Sequence, residues 1–132
     1  MIEKFGIGID ISNIENFKNK PFKNNKTFYE KLFSNEEILY CTKSKNSAEK
    51  FAGKFALKEA LIKSINKKIY FLDIETSYSN SKPIVKLVNP KTNYNFIISL
   101  SDTLIETTSA LVASPIIVMQ FVLFLNSAMP DI

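Results

Sequence analysis

The chain has 132 residues, 45% of them hydrophobic and 23% charged, with 17 basic and 13 acidic side chains for a formal net charge of +4. That is one domain's worth of ordinary globular composition, which excludes a disordered, collagen-like or disulfide-stapled protein. There is no histidine, and every basic residue is a lysine. Imidazole-dependent hydrolysis and histidine-ligated metal sites are excluded, so chemistry must run on carboxylates, lysines, hydroxyls and backbone.

Residues 5–11 alternate strictly, with Phe5, Ile7, Ile9 and Ile11 on one face of a strand and Gly6, Gly8 and Asp10 on the other. Asp10 breaks this apolar run, so no secretory signal is expected. With a single cysteine, Cys41, a reducing, cytoplasmic setting is the expectation. Residues 12–28 are polar and contain Pro21, which predicts a short helix and then a loop. Ser34 followed by Glu37 and a run of Ile38, Leu39 and Tyr40 reads as a capping box opening a helix that ends within residues 42–47. Cys41 then falls on that helix as a partly buried residue.

Residues 47–65 form the strongest helical segment. At 100° per residue, Ala52, Phe55, Ala56, Glu59 and Lys63 share about a third of the circumference. Lys54, Lys58 and Leu61 lie on the opposite side, which supplies an exposed face. A Glu–Lys pair at i,i+4 is ordinarily a surface feature, but here it sits on the stripe that faces the core. Glu59 is therefore expected to be a partly buried carboxylate satisfied by a metal or other cation. Phe51 and Phe55 read as core anchors.

Strand-like segments follow over residues 69–75, 83–88 and 95–100, with turns at 79–81 and 89–90, a further turn at 101–103 and a short segment over 110–113. Asp73 and Glu75 read as solvated positions on the first of these strands. Residues 116–125 are the most apolar stretch. At well under the ~20 residues a membrane helix needs, they read as a buried or interface strand. The order predicts a single α+β domain over residues 1–132, an antiparallel sheet packed on one long helix, with an apolar tail over 114–132. The lysine excess favours an acidic partner. Lacking the guanidinium forks that read bases, the chain is not expected to bind nucleic acid, nor a membrane.

Several motifs then line up with one family. Gly6–Asp10 resembles the amino-terminal G-x-D motif of phosphopantetheinyl transferases. Phe51 through Lys63 resembles their aromatic-x-x-K-E-A-x-x-K motif. Phe33-Ser34 with Glu37, Leu72-Asp73-Ile74-Glu75, Ser81-Lys82-Pro83 and Ser99 through Thr103 stand in order where the small holo-acyl-carrier-protein synthase branch has its intermediate motifs. The resemblance covers about residues 5–113.

What the resemblance implies is the phosphopantetheinyl transferase fold and Mg²⁺-dependent transfer of 4′-phosphopantetheine from coenzyme A to a serine of an acidic acyl carrier protein. It implies Asp10 and Glu59 as metal ligands and Asp10, Glu59 and Lys63 as the catalytic set. Glu59 would take the serine proton, and Lys63 would meet the pyrophosphate. Lys58, Lys63, Lys82, Pro83, Ser101 and Asp102 are implied to contact coenzyme A, and a homotrimer with sites between subunits is expected. Asp102 stands where the family has a histidine, Ser81 where it has a glycine, and Asn16 where a basic residue of the first helix engages carrier protein; Lys18 and Lys20 lie nearby. These departures leave open a second reading, a non-catalytic descendant that binds a carrier protein or another subunit.

Overall fold

A computed structural model describes residues 2–65, 67–89, 94–104 and 116–127. Strand β1 (Ile2–Asn13) leads into helix α1 (Ile14–Lys18), where the Asn13 side chain accepts from the Glu15 amide. A 3-10 turn at Phe22–Asn24 precedes the short helix α2 (Lys26–Glu30). Helix α3 (Asn35–Lys43) opens with the expected capping box, Ser34 accepting from the Glu37 amide while the Glu37 carboxylate accepts from the Ser34 amide. Helix α4 (Ser47–Ser64) is the 18-residue element anticipated from composition.

Strands β2 (Ile74–Ser79) and β3 (Lys82–Leu87) make a two-stranded antiparallel hairpin. Strands β4 (Asn95–Leu104) and β5 (Ile116–Ser127) join β1 in a three-stranded antiparallel sheet ordered β1-β5-β4. The strand expected over 69–75 lies instead at Ile74–Ser79, so that only the last two of the expected residues are in strand. Residues Phe71–Asp73 form a 3-10 turn, because the Asp73 carboxylate accepts from the Tyr70 amide. Asp73 is therefore a cap rather than a solvated strand position. The segment expected over 110–113 lies outside the described residues.

The apolar stretch near the carboxyl end is a strand, as its Ile, Val and Phe content suggests, but it is no appendage. It is the central strand, hydrogen-bonded on one side to β1 and on the other to β4.

The core has two lobes along α4. Its first half packs with α1, α2 and α3 through Ile14, Phe17, Tyr29, Phe33, Ile38 and Phe51. Its second half packs through Leu57, Ala60 and Leu61 on Ile74, Val85 and Leu87, with Phe96 and Ile98 of β4 alongside. The α+β architecture is as expected, but a sheet on one helix is only half of it, since three shorter helices enclose the first lobe. Among the described residues, no helix is long and apolar enough to cross a membrane.

Candidate active site

The small-residue face of β1 is the one turned to α4. A Cβ built on Gly8 would stand 1.8 Å from the Ala60 carbonyl oxygen and 2.9 Å from the Ser64 amide nitrogen, so strand and helix touch backbone to backbone. Only glycine allows that approach. Two residues on, the strand delivers Asp10 beside the last turns of α4. There the Lys63 ammonium donates to Asp10 Oδ1 at 2.8 Å and to the Ile9 carbonyl at 3.3 Å. The buried Ser12 hydroxyl donates to Asp10 Oδ2 at 3.3 Å.

Glu59 lies one turn before Lys63 and is half-buried, as its stripe implied. Burial pushes its carboxyl above the usual value, the Asp10 charge pushes the same way, and Lys63 opposes both. The Lys63 ammonium is held above its usual value by the Asp10 hydrogen bond, against the effect of burial and with help from the Asp10 and Glu59 charges. So Asp10, Glu59 and Lys63 share one field.

The donor chemistry fits a hard divalent cation. Two carboxylates repel each other here, and a cation between them would relieve that repulsion. Among the described residues no group of three or more His, Cys, Asp or Glu side chains gathers anywhere. One or two carboxylates, with water and substrate phosphate completing the shell, is the arrangement Mg²⁺ favours.

Lys58 differs from its expected role. It is wholly buried, donating to Glu37 Oε1 at 2.6 Å, the Leu32 carbonyl at 2.8 Å and the Phe71 carbonyl at 3.1 Å. An ammonium so enclosed is closed to a phosphate in this conformation. Burial pulls its pKa down, and Glu37 holds it up in part. Glu37 is also more than a cap: its other oxygen accepts from the Thr76 amide at 3.1 Å and from the Thr76 hydroxyl. Lys54 is likewise buried, donating to the Thr76 carbonyl and hydroxyl at 3.0 Å each, with its ammonium near the rings of Tyr40 and Tyr78. The α4 face expected to be exposed is thus an interior polar network.

Lys82 and Pro83 start β3, at the tip of the separate hairpin, opposite Ser79 and Tyr78. Ser101 and Asp102 fall not in the turn expected over 101–103 but within β4, paired with Met119 and Val118, because β5 continues the ladder through them. Through β5, Asp102 shares its register position with Ser12 of β1. Cys41 is fully buried, and burial raises its thiol to about 12, which leaves it inert as a nucleophile.

Comparison with known proteins decides the family. The family model described as the 4′-phosphopantetheinyl transferase superfamily matches residues 6–109. The chain belongs to that superfamily. Among its relatives in the superfamily, the holo-[acyl-carrier-protein] synthase of Mycoplasma mycoides is 37% identical over 97 residues, covering 72% of this chain and 81% of that one. The synthase of Clostridium acetobutylicum is 41% identical over 86 residues, covering 62% and 68%. Among solved structures, Helicobacter pylori holo-[acyl-carrier-protein] synthase in complex with coenzyme A superposes with a TM-score of 0.63 at 31% identity, covering 88% of this transferase and 96% of that chain.

Proposed function

We propose that this transferase is a holo-[acyl-carrier-protein] synthase, moving the 4′-phosphopantetheine arm of coenzyme A onto a serine of an acyl carrier protein. The observation that carries the reading is the convergence of Asp10, Glu59 and Lys63 where β1 touches α4. In the transfer, the serine oxygen forms a bond to the phosphorus bearing the pantetheine arm, and that phosphorus releases the 3′,5′-ADP oxygen. Glu59, with its raised proton affinity, takes the serine proton. Lys63 stands where charge grows on the departing phosphate, which it neutralises or protonates. Asp10 and Glu59 would hold a Mg²⁺ ion, which supplies charge neutralisation on the pyrophosphate.

Two surface features support the expected partners. Beside α1, an apolar recess of about 190 Å³ is lined by Phe17, Phe22, Tyr29 and Phe51 with Lys18 at its rim, which suits an apolar side chain on an acidic carrier helix. On the outer face of the sheet, Ile7, Ile9, Ile11 and Ile97 are each more than half exposed. Such a row favours self-association, and the resemblance gives three as the number of copies.

The test is mass spectrometry of an apo acyl carrier protein incubated with this protein, coenzyme A and Mg²⁺. A gain of one phosphopantetheine arm, abolished by Glu59→Ala, is the expected result. No gain across several carrier proteins, with coenzyme A failing to raise the melting temperature, would instead favour a binding module on an inherited scaffold, the reading that Asp102 in the histidine position allows.

A further inference from the structure

The row Gly8, Asp10, Ser12 on the α4-facing side of β1 ends in a buried hydroxyl, 5% exposed. A buried hydroxyl needs a partner, and among the described residues Asp10 Oδ2 is the one it has. An ionised carboxylate can only accept, so the Ser12 hydroxyl must donate. Lys63 holds the other oxygen, Oδ1. The two contacts are unequal in what they can hold. Lys63 reaches Asp10 from a side chain that is 52% exposed, on a long flexible stem, and must be free to turn to a phosphate. Ser12 hangs on the same strand, two residues away, with a single rotatable bond to its oxygen. At 3.3 Å its bond is longer than the usual ~2.7–2.8 Å for a hydroxyl donor, so it orients the carboxylate rather than binding it strongly.

We infer that Ser12 is a positioning residue that fixes the rotamer of Asp10, keeping the carboxylate aimed at the cation site when Lys63 leaves it for the substrate. The inference rests on the metal reading of Asp10 above, but its first test does not. Three-bond proton couplings of the Asp10 side chain report its rotamer in metal-free protein. They are measured in Lys63→Met, which removes the competing hold, alone and combined with Ser12→Ala, Ser12→Thr or Ser12→Val. One rotamer is expected where position 12 carries serine or threonine, and averaged couplings where it carries alanine or valine.

Threonine and valine have one shape and differ in the hydroxyl, so their contrast removes packing from the comparison. Alanine, which fits any space serine fills, keeps the test decisive should the branched variants fail to fold. A second arm titrates Mn²⁺ by electron paramagnetic resonance, with Lys63 intact. Ser12→Ala and Ser12→Val are expected to weaken binding about 10-fold, as loss of a ligand's supporting hydrogen bond commonly does, and Ser12→Thr to restore it. A single Asp10 rotamer in all variants, or equal loss in threonine and valine, overturns the role of Ser12. Wild-type protein that takes no Mn²⁺ overturns the metal reading instead, and the couplings still decide Ser12.

Discussion

Glu37 and Lys58 come from helices α3 and α4 and meet in the interior, where neither has water to fall back on. Burial alone would raise the Glu37 carboxyl, but the Lys58 charge and hydrogen bond, with the Thr76 and Ser34 donors, outweigh it and hold it below the ordinary 4.5. A carboxyl depressed in the folded state contributes stability that is complete above its unfolded value and is lost as pH falls through its folded one. Glu37→Gln should therefore be less stable than wild type at neutral pH, with the gap closing as pH drops below about 4.5. Urea unfolding across that range measures it. Lys58→Met should cost about 3–5 kcal/mol at neutral pH, because it leaves a buried carboxylate without its cation. None of this pair was visible in sequence. Lysines are rarely buried, so Lys54 and Lys58 read as the solvent face of α4, and only a partner 21 residues away explains why Lys58 is not.

At the scale of elements, one close fit and one tight turn can be tested by adding or removing a small side chain. Gly8→Ala would press a methyl into the backbone of Ala60 and Ser64, neither of which can turn aside. The strand must lift from the helix, so a loss of about 3 kcal/mol is expected, together with most of the transferase activity, since Asp10 moves with the strand. Melting curves and the phosphopantetheine mass assay read the two effects. The β2–β3 turn offers the opposite change. Asn80 and Ser81 both have positive φ, 50° and 66°, the two-residue turn that matches the twist of a hairpin. Asparagine tolerates that region and serine does so at a cost, so Ser81→Gly should stabilise by about 0.5–1 kcal/mol, seen as a higher melting temperature.

Elements whose signals are local were legible. The capping box of α3, the limits of α4 and the tip of the hairpin all depend on residues within a few positions of one another. What depends on distant partners was not, and the 3-10 turn at Phe71–Asp73 shows the boundary between the two. Its β-prone residues suggested a strand until the Asp73 side chain claimed the Tyr70 amide. Asp10, Glu59 and Lys63 came together as a set through the motif resemblance; the pattern by itself placed Glu59 and Lys63 on one helix face and Asp10 on a glycine-punctuated strand, with nothing to join the two. Ser12 was missed, although its place two residues beyond Asp10 on the same face was the available signal.

For the whole molecule, the sheet has an inner face on α4 and an outer face carrying Ile7, Ile9, Ile11 and Ile97. Read alone, the alternation of β1 invites the large residues into the core and the glycines to solvent. The folded chain does the reverse, and the proposed assembly gives the isoleucines their cover. Ile9→Lys should convert an assembled protein to monomers in light scattering without lowering helix content by circular dichroism. If the active sites lie between subunits, it should also lower transfer activity. Wild-type protein that runs as a monomer would remove the assembly from the reading.

The position of β5 has a consequence for how the protein is made. Strand β1 is synthesised long before β5, yet β1 pairs with β5, and among the described residues β4 reaches β1 through it. While the ribosome is still short of Ile116, the helices can gather around Phe17, Tyr29 and Phe51, but β1 and β4 have no ladder to join. Pairings between segments far apart in sequence form slowly. Asp10 on β1 thus waits for a strand made more than a hundred residues later. A nascent chain carries an unpaired, isoleucine-rich edge until then, the kind of surface that chaperones bind and that aggregates when they do not.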